Sequence, residues 1–166
     1  MDPEENLLNS SSCIVTTVSE YNDKFNSSAD AFKILNFNLQ SFHSKKPRFN
    51  CFLESINEEF DVLVLTETWN CSDNINFCYI DNYNGIHTYR TLPRPLRGGI
   101  GGGVSIFAVS RNYKITKIDD LSVCNGTIES CVAKISTKNS NVDDEIVVIG
   151  VYRPHTDTIE NFVVDL

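Results

Sequence analysis

Apolar and polar positions along this chain fall into a strand period and a helix period. The run Asp61-Val62-Leu63-Val64-Leu65-Thr66-Glu67-Thr68-Trp69 sets four consecutive apolar residues, two of them β-branched, ahead of a polar tail. That is the pattern of a strand buried on both faces. A second strand-like run is Phe32-Lys33-Ile34-Leu35-Asn36-Phe37-Asn38-Leu39-Gln40. After a turn predicted at 41–47, Phe49, Phe52, Leu53, Ile56 and Phe60 recur at helical spacing, with Glu54, Glu58 and Glu59 turned outward. Strand, helix and strand in this order predict a βα unit whose second strand lies beside the first.

Downstream, 86–90 reads as a short strand, and 91–102 reads as a Pro- and Gly-punctuated loop. The segments 103–108, 113–118 and 129–135 alternate, which predicts an antiparallel meander. Residues 145–152 form another long apolar strand, and Thr156 or Thr158 is placed to cap a helix starting at Ile159. Residues 1–31 are Ser/Asn/Asp/Glu-rich around one apolar patch, Cys13-Ile14-Val15, and read as a mostly disordered acidic leader. The folded domain is expected over 32–166.

Composition narrows the setting. With 166 residues, 41% of them hydrophobic, the chain holds one ordinary core. No apolar run approaches bilayer length, and the start, Met1-Asp2-Pro3-Glu4-Glu5, is acidic where a signal peptide is basic. The expectation is a soluble intracellular protein, cytoplasmic or nuclear, with no membrane partner. The six cysteines include no C-x2-C pair, so reduced thiols are expected, not zinc knuckles.

Net charge is −8. Residues 1–31 carry six acids against one Lys, a net of −5, and the remainder carries 16 acids against 13 bases, a net of −3. Such a body does not grip nucleic acid by bulk positive charge. Phosphate would have to be met locally, and Arg90, Arg94 and Arg97 are the clustered cations.

Candidate chemistry sits where strands end. Glu67 follows a buried strand, and a carboxylate there is costly unless its charge is used. Ligands of open α/β sheets bind outside the carboxyl ends of the strands. Asn38 is placed to orient a phosphate or a metal-bound carboxylate, Glu67 to hold a hard divalent cation, and Tyr152 to donate to a phosphate oxygen. Each has a plainer alternative as a turn residue, a salt-bridged group or a half-buried aromatic. P-loop, G-x-S-x-G, H-E-x-x-H and C-x-x-C motifs are absent, and the Gly98–Gly103 run precedes a strand, where phosphate loops precede helices.

Four motifs occur in order: Leu35-Asn36-Phe37-Asn38-Leu39, Leu65-Thr66-Glu67-Thr68-Trp69, Gly102-Gly103-Val104-Ser105-Ile106 and Val151-Tyr152-Arg153-Pro154. Together they resemble the endonuclease/exonuclease/phosphatase superfamily over residues 32–166. The nearest resemblance is to the endonuclease domain at the N-terminus of LINE-type non-LTR retrotransposon polyproteins. The resemblance implies a four-layer α/β sandwich, present here as its N-terminal half. It implies Asn38 and Tyr152 as catalytic residues at the phosphate and Glu67 as the ligand of Mg2+ or Mn2+. Arg90, Arg97 and Arg153 become candidate phosphate or DNA contacts. DNA is the implied partner of a complete domain, and a reverse-transcriptase domain would lie downstream in the parent polyprotein.

Departures limit the implied activity. Gln40 stands where the family often has Asp, and His155 stands where Asn is common. The later G-D-x-N and S-D-H motifs, which orient and deprotonate the water, do not occur in this sequence. The expected function is the N-terminal portion of a Mg2+-dependent, DNA-nicking phosphodiesterase, inactive by itself. The alternatives are a non-catalytic remnant or interaction module, or another branch of the superfamily (inositol phosphatases, abasic-site nucleases). Half of a two-sheet sandwich should also expose apolar surface and unpaired strand edges.

Overall fold

The computed structural model describes residues 17–25, 31–56, 58–90, 101–125, 127–138 and 145–154. The glycine-rich loop before 101, including Arg94 and Arg97, and the helix expected from Ile159 lie outside these residues.

Strand β1 (Ile34–Asn38) pairs in parallel with β2 (Val62–Thr66), joined by helix α2 (Phe42–Ser55). The βα unit is therefore as the pattern predicts. Strand β4 (Val104–Val109) runs antiparallel to β2 on its other side, and β3 (Tyr83–Thr88) closes the sheet in the order β1-β2-β4-β3. A second, antiparallel sheet holds β5 (Tyr113–Lys117), β6 (Glu129–Thr137) and β7 (Glu145–Tyr152) in that order.

Strand alternation sorts the core into two layers. Leu63, Leu65 and Phe107 face α2, where they pack with Phe42 and Phe49. Val62, Val64, Val104, Ile106 and Ala108 face the second sheet and meet Cys131, Ala133, Ile135 and Val148. The sheets pack tightly at Gly150, where a Cβ would come within 2.8 Å of both Val64 Cγ1 and Val104 Cγ1. Helix, sheet and sheet thus form three layers among the described residues.

Helix α2 starts earlier than its apolar stripe suggests. Residues 41–47, expected as a turn, are helical from Phe42, and Pro47 lies inside the helix. The proline removes one backbone donor. The Ser41 hydroxyl compensates by accepting from the Ser44 amide at 3.4 Å, while Phe42 and Phe49 anchor the helix at 1% and 3% exposure. Glu58 also departs from the outward reading. It lies beyond the helix end, and its nearly buried carboxylate pairs with Lys33 at 3.0 Å.

The leader reading changes over one stretch: Val18–Phe25 is a helix, α1. Thr17 and Glu20 form a reciprocal capping box, with Glu20 N donating to Thr17 Oγ1 at 3.2 Å and Thr17 N to Glu20 Oε2 at 3.0 Å. Tyr21 packs on Phe60, and the Asn22 amide donates to the Ser55 carbonyl at 3.0 Å.

Strands β1 and β7 lie at the edges of their sheets, and both expose apolar side chains. Ile34, Ile146, Val147 and Ile149 are 42–59% exposed. With Phe32, Asn36 and Val64 they line an open groove of about 530 Å³. No helix among the described residues is long and apolar enough to cross a membrane. Cys51, Cys71, Cys78, Cys124 and Cys131 are free thiols.

Candidate active site

Strand direction gathers the candidate residues at one end of the sandwich. The registers Asn38↔Thr66, Thr66↔Val104 and Thr88↔Val104 bring together the carboxyl ends of β1, β2 and β3 and the amino end of β4. Glu129↔Tyr152 pairs the amino end of β6 with the carboxyl end of β7, and the Gly103 N–H to Glu129 hydrogen bond joins the two sets. Asn38 is exposed at the β1 end. Glu67, the residue after β2, is 7% exposed, and Tyr152 is 8% exposed within the layer between the sheets.

Beyond β2 the backbone is strained. Glu67 and Trp69 have φ of 54° and 56°, and facing Gln40 and Ser41 have φ of 50° and 92°. Four non-glycine residues in the left-handed region persist only where surroundings over-determine them. Here they do. Leu39 N donates to Thr66 O at 3.0 Å, Ser41 N to Glu67 O at 2.8 Å and Phe42 N to Thr68 O at 2.8 Å. On the other side Thr68 N donates to Gly103 O at 3.2 Å and Trp69 N to Gly102 O at 2.8 Å. The turn carrying Glu67 is stapled between the β1–α2 connection and the start of β4.

The Glu67 carboxylate is oriented by two donors to the same oxygen. Trp69 Nε1 donates to Oε2 at 2.5 Å, and the Gly102 amide donates to it at 3.2 Å. Charged acceptors make the stronger hydrogen bonds, so this oxygen is well fixed.

The sequence reading did not single out Glu129, the first residue of β6. It is fully buried, forms an ion pair with Arg90 and accepts from the Gly103 amide at 2.5 Å. Burial pushes its carboxyl above the ordinary range, the Gly103 amide and Arg90 pull it back, and the Glu67 charge raises it further. The signal was there: a carboxylate opening the apolar run 131–133, the same anomaly that marks Glu67. Arg90, offered as a phosphate contact, has its side chain 9% exposed against Glu129. Arg153 follows Tyr152 and is half-buried. Cys124, which bridges to Glu129 through its backbone, has its thiol pushed up to about 12, first by burial and then by that carboxylate.

His87, on β3, joins a polar cluster with the buried Asn70, Cys78 and Ser105. Its Nδ1 lies 2.9 Å from Ser105 Oγ, and Asn70 Nδ2 donates to Ser105 Oγ and Cys78 Sγ at 3.3 and 2.9 Å. Burial lowers its imidazole to about 4 and raises the Cys78 thiol to about 11. Both groups are thereby held neutral, as a structural network rather than a reactive pair.

Among the described residues no group of three or more His, Cys, Asp or Glu is placed to hold a metal ion. What the site offers is one oriented carboxylate with an exposed carboxamide on the adjacent strand end. Mg2+ suits such a sparse oxygen set, because it keeps several waters and takes substrate phosphate oxygens.

No protein-family model matches the sequence, and no curated protein is similar to it. Solved structures are. The AP endonuclease LMAP from Leishmania major superimposes with a TM-score of 0.50 at 15% identity, over 80% of this chain and 43% of its own. The human Nocturnin catalytic domain with bound sulfate gives 0.46 at 14% identity, over 71% and 48%. The 3′ phosphatase NExo from Neisseria, bound to product DNA hairpin, gives 0.41 at 16% identity, over 72% and 40%. The chain thus spans less than half the length of each of these three structures. Two stacked sheets with a flanking helix, their strand ends converging on Glu67, give this chain the endonuclease/exonuclease/phosphatase fold.

Proposed function

We propose that this chain is the metal- and phosphate-holding portion of a DNA-nicking phosphodiesterase of the LINE-type retrotransposon kind, acting in the cytoplasm or nucleus. The observation that carries the reading is the convergence of Asn38, Glu67 and Tyr152 on one end of the sandwich. Glu67 would hold Mg2+ or Mn2+. Such an ion, when bound, offsets negative charge on the phosphate and leaving oxygen. Asn38, at the exposed end of β1, orients the phosphate through its carboxamide. Tyr152 supplies a hydroxyl donor to a phosphate oxygen, and Arg153 adds a cation beside it. Left-handed backbone at Glu67 and the Trp69 and Gly102 donors fix the carboxylate before any ligand arrives.

Proton transfer from the attacking water is a separate requirement, and the sequence holds neither a G-D-x-N nor an S-D-H motif to meet it. The chain by itself therefore binds without turnover. With Mg2+, it should retain a short DNA duplex in a filter-binding assay, and Glu67→Ala should weaken that retention at least about tenfold, since even partners outside a metal's ligand shell are worth that much. Supercoiled plasmid incubated with the chain should remain unnicked. Nicking that vanishes in Glu67→Ala would overturn the inactivity, while Mg2+-independent retention would remove the metal role.

A further inference from the structure

We infer that Glu129 and Arg90 are positioning residues for Glu67, acting through the backbone of Gly102 and Gly103; the inference rests on Glu67 being the metal ligand proposed above.

Consecutive amides serve two different carboxylates. The Gly103 N–H donates to Glu129 Oε2 at 2.5 Å and the Gly102 N–H to Glu67 Oε2 at 3.2 Å. The carbonyls of the same two glycines accept from Trp69 and Thr68 at 2.8 and 3.2 Å. Gly102 and Gly103 thus form a bracket, one side holding the strained 67–69 backbone and the other holding the two acids. Both glycines have positive φ, 85° and 87°, a conformation that glycine adopts without steric cost.

Side chains are excluded from the bracket. A Cβ on Gly102 would collide with both Glu129 carboxylate oxygens, and one on Gly103 would lie 2.8 Å from Thr68 Oγ1. Glu129 is fully buried, its charge is matched by Arg90, and its backbone is paired to Tyr152 on one side and bridged to Cys124 on the other. It is a fixed post. If the post is neutralised, the Gly103 amide loses a charged acceptor, the bracket relaxes, and the Gly102 amide leaves the oxygen it orients. Arg90 is then assigned inward, to the post, and not to DNA.

Trp69 allows a direct test, because it is the sole tryptophan and its indole N–H donates to Glu67 Oε2. In a 15N-labelled sample its indole cross-peak reports the carboxylate without metal or substrate. Glu129→Gln should shift that peak and speed its solvent exchange. Glu67→Gln should shift it as well, and the double variant should move no further than Glu67→Gln alone. Arg90→Lys keeps the charge but not the fork, and should move the peak in the same direction by less. That variant carries the test if Glu129→Gln does not fold.

Titration with Mn2+ supplies a second arm. Paramagnetic broadening of the indole peak should need about tenfold more Mn2+ in Glu129→Gln than in the unaltered chain. A cooperatively folded Glu129→Gln or Arg90→Lys with an unmoved indole peak overturns the positioning role. Indole shifts in the variants together with no Mn2+ broadening in the unaltered chain overturn the metal reading and leave the bracket standing.

Discussion

Phe107→Ala should cost about 3–5 kcal/mol of folding stability, the range for removing a fully buried ring. Phe107 is 1% exposed and sits at the centre of the layer between α2 and the first sheet. Its ring stacks on Phe42 at 6.0 Å and meets the His87 ring edge-on at 5.4 Å. Its cross-strand neighbour is Gly85, where a Cβ would lie only 2.6 Å from the Phe107 ring, so β3 leaves room for the ring and supplies no side chain there. β4 is paired on both sides, by β2 and β3, and cannot shift to close the cavity. Urea unfolding of the two proteins would show the loss as a lower midpoint at unchanged slope. A difference below about 1 kcal/mol would mean that α2 collapses onto the sheet after all.

Acid should destabilise the fold through His87 by up to roughly 3 kcal/mol, at about 1.4 kcal/mol per pH unit separating its folded and unfolded titration midpoints. Burial, with a smaller contribution from Lys117, lowers the folded imidazole from 6.5 to about 4. The unfolded chain therefore binds a proton at a pH where the folded chain refuses it. The contribution is fully present above pH 6.5 and is lost progressively as the pH falls from 6.5 to about 4. His87→Asn keeps a polar group facing Ser105 and cannot titrate. Unfolding midpoints of both proteins, followed from neutral pH down to the folded imidazole's own range, should converge toward the acid end. Parallel curves would mean that His87 stays protonatable inside the fold.

How much of this was legible depends on where each residue's energetics reside. Strand β2 was legible because both of its faces are buried, so Val62–Leu65 had to be apolar throughout. The stripe located the body of α2 but neither end: it runs on to Phe60, where the helix stops at Ser55, and it starts at Phe49, where the helix starts at Phe42. Pro47 and Ser41 signal a turn locally, and only the burial of Phe42 against Phe107 outweighs them. Helix α1 carried a readable sign, Thr17 three residues before Glu20, inside composition that argued for disorder. Glu67 stood out by following a buried strand. Glu129 carries the same sign, a carboxylate at the edge of an apolar run, but its partners are not legible beside it: Arg90 precedes it by 39 residues and Gly103 by 26. Strand β7 reads as a buried strand, yet Val147 and Ile149 are open, since periodicity reports which side chains match and not what covers them.

The strained turn at Glu67 has a kinetic meaning as well. Its staples come from residues 39–42 on one side and 102–103 on the other, and the post behind them is Glu129. Tyr152 lies on β7, whose only pairing partner among the described residues is β6. No local piece of chain contains even two of the three groups Asn38, Glu67 and Tyr152, so each closure carries the entropy of a long loop. High contact order of this kind slows folding. During synthesis β2 emerges before the glycines that hold its end, so the Thr68 and Trp69 staples of the turn can close only once β4 docks.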